Sequence, residues 1–393
     1  MLKKIAFIFV FLTSFLVSAQ NEQLALQYFD DGAFEKALSI FEENAKKQPS
    51  NYYFFQKIIE CHQELQNYDA AEKAILQRRQ RYNQQILLVE LGYNFQLQKK
   101  EVEAKKQYEL ALKEVEKEPN YAYQVAGAFE KKVLLDWAIK TYEIAQKINP
   151  KLNFDYQTGM LQGQLGNLDI MLEKLLDYGY NNPDNTALIQ NQLTRFLADD
   201  ATGNFAESIR KSLLLKVQKS QDVYWNQSLS WLFVQQKEYG KAFIQEKAVY
   251  KRNPESFYNI VALGRLAIAE NQTEDALNIL TFVLENTQDL DLQMQAHHYL
   301  MEMEIASALP AEYKKINDKL IELLKKYGIT PYSLDLQLLT ANFQAFYLKQ
   351  PELGKELLQN ALKLPLNIRD QAKIKMELAD IMVYDEKFNQ AIL

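Results

Sequence analysis

The sequence predicts an all-α solenoid of helix–turn–helix units, and three observations carry that prediction. The first is a period of about 34 residues. One column runs Phe34, Tyr68, Glu101, Leu135, Leu168, Phe205, Tyr239 and Thr273, at intervals of 34, 33, 34, 33, 37, 34 and 34. The second is a pair of dependent columns. Three residues on lie Ala37, Ala71, Ala104, Ala138, Met171, Ser208, Ala242 and Ala276, small in seven of eight cases. Four further on lie Phe41, Ile75, Tyr108, Tyr142, Leu175, Ser212, Glu246 and Leu280, mostly large and apolar. The third is Pro49, Pro150, Pro183 and Pro254, each closing a unit.

The elements follow in chain order. Residues 1–19 read as a secretory signal. Lys3 and Lys4 start it, Ile5 to Val17 is an apolar run of 13 broken only by Thr13 and Ser14, and Val17-Ser18-Ala19 supplies small residues for cleavage before Gln20. Thirteen residues fall short of the ~20 that a membrane-spanning helix needs. No Cys follows the run, which argues against a lipoprotein. The Ser-Ala-Gln junction resembles exported proteins of Bacteroidetes-type bacteria.

Residues 20–288 then hold about eight regular units of two amphipathic helices each. A small residue in the second helix lets the first approach, a large one a turn later fills the groove, and proline stops the helix because it lacks an N–H. The first helices carry their own small set, Ala25, Gly92, Ala126, Gly159, Ser230 and Gly264, expected to face the small residues of the second helices. Breakers mark the turns: Asp31-Gly32, Gln66-Asn67, Gly166-Asn167 and Gly203-Asn204. Three extra residues around Asp200 to Thr202 lengthen one turn. From 289 to 370 the units diverge: Ala276 to Ala391 spans 115 residues, three units of about 38. Residues 371–393 read as an incomplete terminal unit, Met376 to Phe388 giving a first helix and turn and Ala391 opening a second. That is the expectation for a fragment of a longer protein.

This period and pattern resemble the tetratricopeptide repeat (TPR). Residues 119–152 carry the resemblance best, with Ala126, Phe129, Ala138, Tyr142, Ala145 and Pro150. Residues 18–51 follow with Ala25, Tyr28, Ala37, Phe41 and Pro49, and residues 223–256 with Ser230, Phe233, Ala242 and Pro254. It weakens at 186–222 and from 289 to 370. The resemblance implies a right-handed superhelix of about 10–11 repeats whose first helices line a concave groove. Carried over unit by unit, groove positions fall on Tyr53, Gln56 and Glu60; on Val89, Tyr93 and Gln96; on Tyr123, Glu130 and Lys131; and on Tyr156 and Gln164. Further on they fall on Tyr224, Gln227, Trp231 and Gln235, and on Tyr258 and Arg265. Tyr and Trp give large contact area at low entropic cost, and Gln can pair with peptide backbone. The basic and Asn clamp with which some relatives hold acidic C-terminal peptides is absent, since Gln56, Glu60 and Tyr93 stand there.

Composition bounds the function. The 393 residues carry a net charge of −6, or −8 once Lys3 and Lys4 are removed, without the basic stripe of a nucleic-acid binder. A single Cys, Cys61, excludes an intrachain disulfide and any multi-Cys metal site. No Gly-rich phosphate loop, His-Glu-x-x-His or Gly-x-Ser-x-Gly is present. His297 and His298 are adjacent, about 100° apart on a helix, and cannot chelate together. His62 and Cys61 read as packed residues, and Asp30-Asp31 and Asp199-Asp200 as turn or cap carboxylates. Neither cofactor nor catalytic residue is expected. The expected function is a non-catalytic protein–protein interaction scaffold of the cell envelope, periplasmic or outer-membrane associated. It would hold a peptide or partner helix, with secretion or gliding machinery among the candidate partners. The alternative is the extracytoplasmic sensor region of a membrane signalling protein.

Overall fold

The structure, a computed structural model, describes residues 21–220, 222–254, 257–388 and 391. The signal sequence, its junction at Gln20 and the last residues of the terminal unit lie outside them. Among the described residues all regular structure is helical.

Helices alternate as the columns require. The first unit pairs α1 (21–30) with α2 (Phe34–Lys47), the second α3 (Tyr52–Glu64) with α4 (Tyr68–Tyr82), the third α5 (Ile86–Leu97) with α6 (Glu101–Lys117). Then come α7 (Ala122–Lys131) with α8 (Leu135–Ile148), α9 (Asp155–Gln164) with α10 (Leu168–Asn181), and α11 (Thr186–Ala198) with α12 (Asn204–Lys219). Next are α13 (Val223–Gln235) with α14 (Tyr239–Arg252) and α15 (Phe257–Ala269) with α16 (Thr273–Asn286). The divergent stretch supplies α17 (Leu290–Ser307) with α18 (Tyr313–Tyr327), α19 (Leu334–Asn342) with α20 (Pro351–Ala361), and α21 (Ile368–Tyr384). The chain divides between Ile189 and Gln190 into two compact units. In the first, α5 packs on α7 and α6 on α8, so first helices form one row and second helices another. In the second, α15, α17, α19 and α21 form the row of first helices, and α14 packs on α16.

The small column is sealed: Ala37, Ala71, Ala104, Ala138, Met171, Ala242 and Ala276 are each 1% exposed or less. The expected approach of small residues to each other needs a second neighbour added to it. At Gly92, Gly159 and Gly264 the nearest neighbour is the large column, sixteen residues later, and at Gly92 the small column is close as well, a Cβ there lying 3.1 Å from the Ala104 carbonyl. A Cβ on Gly92 would run into the Tyr108 ring, one on Gly159 would lie 3.2 Å from Leu175, and one on Gly264 2.9 Å from Leu280. A large side chain on the second helix thus drops into a notch on the first. A correction concerns α12, where Ile209 and Leu213 are buried in place of Ser208 and Ser212. The lengthened turn shifts the register by one more residue. It is closed by Asp200, whose carboxylate accepts from the backbone N–H of Phe205 (2.8 Å) and Ala206 (3.1 Å).

Each tight turn from first to second helix needs one residue in left-handed backbone. These are Gly32, Gln66, Lys99, Val133, Gly166, Gly203, Lys237, Asn271, Lys349 and Glu386. The α17–α18 connection departs, running through a 3-10 turn at Pro310–Glu312, and Ile316 of α18 is buried where regular units place alanine. Gly354 restores the small position in α20, where a Cβ would meet the Ala341 carbonyl at 2.7 Å.

Two neighbouring glycines separate notch from spacer. Gly92→Ala must displace the Tyr108 ring and should cost about 1–3 kcal/mol. Gly127→Ala, with nothing within 4 Å of its Cβ, should stabilise by up to ~1 kcal/mol. Urea unfolding midpoints of the two variants should move in opposite directions. Val133, β-branched with φ of 57°, should be improved by Val133→Gly, by about 1 kcal/mol in the same assay.

Candidate functional site

The row of first helices presents the residues singled out by sequence, and their surroundings differ between the two units. In the first unit most are engaged by their own fold. Val89 is a correction: it is wholly buried and takes no part in any surface. Tyr53 is half-buried, edge-on to Phe54. Gln56 donates to Glu60 (3.0 Å), which also holds Lys57 (2.8 Å). Gln96 accepts from the Tyr108 hydroxyl (2.8 Å), and Glu130 accepts from the Tyr142 hydroxyl (3.0 Å). Both acceptors answer the same need, because a buried tyrosine requires a partner for its O–H.

Tyr93 lies under Lys132, whose ammonium sits 4.8 Å from the ring centre. Lys132 in turn makes an ion pair with Glu90 at 3.3 Å, both side chains under a tenth exposed, and Glu90 accepts from the Tyr52 hydroxyl. Three successive repeats are tied by this buried group, which sequence reasoning missed. Burial and the Glu90 carboxylate drive the Tyr52 hydroxyl far above its ordinary range, so it stays a donor. Tyr123 is exposed, accepts from Gln157 Nε2 (3.2 Å) and packs edge-on against Phe154. Tyr156 packs on Tyr178.

In the second unit more of the residues point outward. Tyr224 packs against Trp225, and Trp231 is half-buried on α13. Gln227 is exposed, and Tyr258 on α15 is 60% exposed. Arg265, two turns beyond Tyr258, is exposed and lies 5.6 Å from the centre of the Tyr299 ring. It has no carboxylate in ion-pair range among the described residues. It also borders a cavity of about 260 Å³ between α15, α17 and α19, with Asp291, Tyr299, Tyr332 and Asp335 in the wall. Asp335 is met by Lys373 (3.4 Å), and Asp291 accepts from Gln295 (2.8 Å). Tyr332, 79% exposed, stands at the cavity. The divergent repeats hid these residues from the columns.

The reactive side chains are placed for packing. Cys61 is buried and its thiol is pushed up to about 12, so it is not a thiolate at neutral pH. His297 faces Tyr327, while His298 faces Tyr299 and Glu302, so the adjacent pair serves two different neighbours. Burial lowers the pKa of His297, with Lys326 adding to it, and burial lowers that of His62. Among the described residues no three His, Cys, Asp or Glu side chains gather as metal ligands, and no helix is long and apolar enough to cross a membrane.

No protein-family model matches the chain, and no curated protein matches it. Solved structures do. The chain is similar to yeast Tom70 at 12% identity, over 96% of this chain and 90% of that one, with a TM-score of 0.33. It is similar to the Cut9–Hcn1 hetero-tetramer of the APC/C at 12% identity, over 97% and 86%, with a TM-score of 0.31. It is also similar to the P58(IPK) TPR domain at 14% identity, over 95% and 90%, with a TM-score of 0.24.

One buried carboxylate yields a pH test. Glu246 occupies the large apolar column of α14, 7% exposed, and burial raises its pKa, with Ser230 in the notch acting in the opposite direction. A carboxyl whose folded pKa exceeds its unfolded value favours the fold below the unfolded value, about 4.3. That advantage is lost as pH rises through the folded value. Glu246→Gln should therefore raise Tm at pH 8 by several degrees and lose that gain by pH 4, as read by circular dichroism.

Proposed function

We propose that the chain is a non-catalytic scaffold. It holds an extended peptide or partner helix along the first-helix face of its second unit, through Gln227, Trp231, Tyr258 and Arg265. The observation that carries this reading is the exposed Tyr258 and unpaired Arg265 on α15, beside a polar cavity, on a face that the helix-pair packing does not consume. An aromatic ring with a polar tip and a guanidinium are the side chains that most often dominate protein interfaces. Tyr224 flanks these residues in the second unit; in the first unit, taken by itself, exposed Tyr123 is the corresponding candidate, while Gln56, Tyr93 and Gln96 are engaged by their own fold and Tyr53 and Tyr156 pack on neighbouring rings. The signal sequence supports export, so the partner sought is a component of the cell envelope, in the periplasm or at the outer membrane, with secretion or gliding machinery among the candidates.

A photo-crosslinking residue at Gln227 tests this in cells of the source organism. Trp231→Ala with Tyr258→Ala should reduce the partner crosslink by about tenfold or more, since each anchor of this kind is worth ~2 kcal/mol. The circular dichroism spectrum should stay unchanged. An unaltered crosslink pattern removes the groove from the proposal.

A further inference from the structure

A second surface, on the other side of the helix pairs, has a chemistry of its own. Seven residues after the small column four second helices place another apolar contact, Ala111, Ala145, Val249 and Val283, each fully buried, and α2 places the buried Asn44 there. In α4 the same column carries Arg78. It is 8% exposed, and no carboxylate pairs with it among the described residues. Its guanidinium donates to the carbonyls of Pro49 (3.2 Å) and Ser50 (3.0 Å) and to Gln84 Oε1 (3.1 Å), and it lies 4.6 Å from the centre of the Phe55 ring. Three of its five N–H groups are thereby used. Carbonyl dipoles and ring faces offset part of its charge. A buried cation without a counter-ion nevertheless remains costly.

Arg78 stands in the wall of an open cleft of about 690 Å³ between α2 and α4, within the range of ligand sites. The floor is apolar: Phe55 and Ile58 from α3, with Ala45 and Ala74 at the sides. Lys46 rises from α2 and Arg81 from α4, both exposed and neither within ion-pair reach of a carboxylate among the described residues. Glu42 also borders the cleft, which leaves three cations to one carboxylate in a chain of net charge −6. His62 reaches the cleft as well, and burial disfavours its charged form.

We infer that the α2–α4 cleft is a second docking site. It takes a segment of a protein partner in which acidic residues flank a large apolar side chain. The apolar side chain fills the floor over Phe55 and Ile58. The flanking carboxylates meet Lys46 and Arg81 and supply the counter-charge that Arg78 lacks. Charge complementarity decides the occupant, because a basic or neutral segment leaves Arg78 uncompensated and adds repulsion at the rim. This site takes its rim from the second helices α2 and α4 and its floor from α3, and it shares no residue with the proposed first-helix face.

The test is fluorescence anisotropy of the full chain with a labelled octapeptide of alternating Glu and Phe. Saturable binding is expected, weakening as salt rises. It should fall about tenfold in the exposed double variant Lys46→Glu with Arg81→Glu and stay unchanged in Trp231→Ala with Tyr258→Ala. The same peptide with Lys for Glu should not bind. Binding that survives the charge reversal, or that the lysine peptide matches, overturns the inference. So does failure of the peptide where dodecanoate saturates the cleft, which would make the site one for a small amphiphile. A dimer dissolved by the same reversal, seen in sedimentation, overturns it in favour of a second copy of the chain.

Discussion

The contact that everything else in this chain depends on is made between a notch in a first helix and a side chain sixteen residues later in the second. Ala25 with Phe41, Gly92 with Tyr108, Ala126 with Tyr142, Gly159 with Leu175 and Gly264 with Leu280 are versions of it, all buried. Because a notch admits the ring or branch, the two helices of a unit approach at fixed distance and register, and the intervening turn has little freedom. That is why the turn repeatedly forces one residue into left-handed backbone, even where it is Lys, Gln or Val. Local strain of this kind persists when surrounding packing over-determines it. The pair Ser230 and Glu246 keeps the spacing in polar form, both residues buried.

Much of this was legible in the sequence because a repeat multiplies a weak signal. A single alanine says little; six alanines recurring in one column of the repeat define a buried stripe. The helix pairs, their order and the turn positions follow from it. What periodicity cannot give is the identity of the neighbour across the stripe. It placed the notch residues on the correct face and against the small column, and it missed the large side chain sixteen residues on that lies nearer still. The slip in α12 had a similar origin, since counting residues through a lengthened loop depends on how Asp200 and Gly203 close it. Side-chain direction is a further step away. Gln96 and Glu130 occupy positions that could face a ligand, but the buried Tyr108 and Tyr142 hydroxyls draw them inward. The cavity beside Arg265 escaped because its other walls come from α17 and α19, where the spacing stretches.

Charges placed inside an apolar pattern mark where individual units differ. Tyr52, Glu90 and Lys132 together span three repeats in the first unit. In the second, Lys355 is 5% exposed and bound by Asp385 (2.6 Å) and Glu352 (2.7 Å), with Lys387 completing the group. The hydrogen bond from Lys355, with that from Lys387, holds the Asp385 carboxyl down to about 2. Buried pairs are weak sources of net stability, because desolvation offsets attraction, but they penalise any alternative register that would separate them. In a fold whose units are nearly interchangeable, such penalties distinguish one stacking order from another.

Arg78 belongs to neither category, since it has no acidic partner to fix a register. Its column holds a small apolar group, Ala111 and Ala145, in the next two units and a buried Asn44 in the unit before. An arginine there gives up that simple contact. Its guanidinium is held by the carbonyls at the end of α2, within a cleft that has an apolar floor and a basic rim. The repeat logic makes this possible: core formation consumes the notch and the small and large columns, and it leaves the first-helix face and the seams between second helices free to vary. The proposed first-helix face and the basic cleft draw on different residues, so filling one consumes nothing that the other needs.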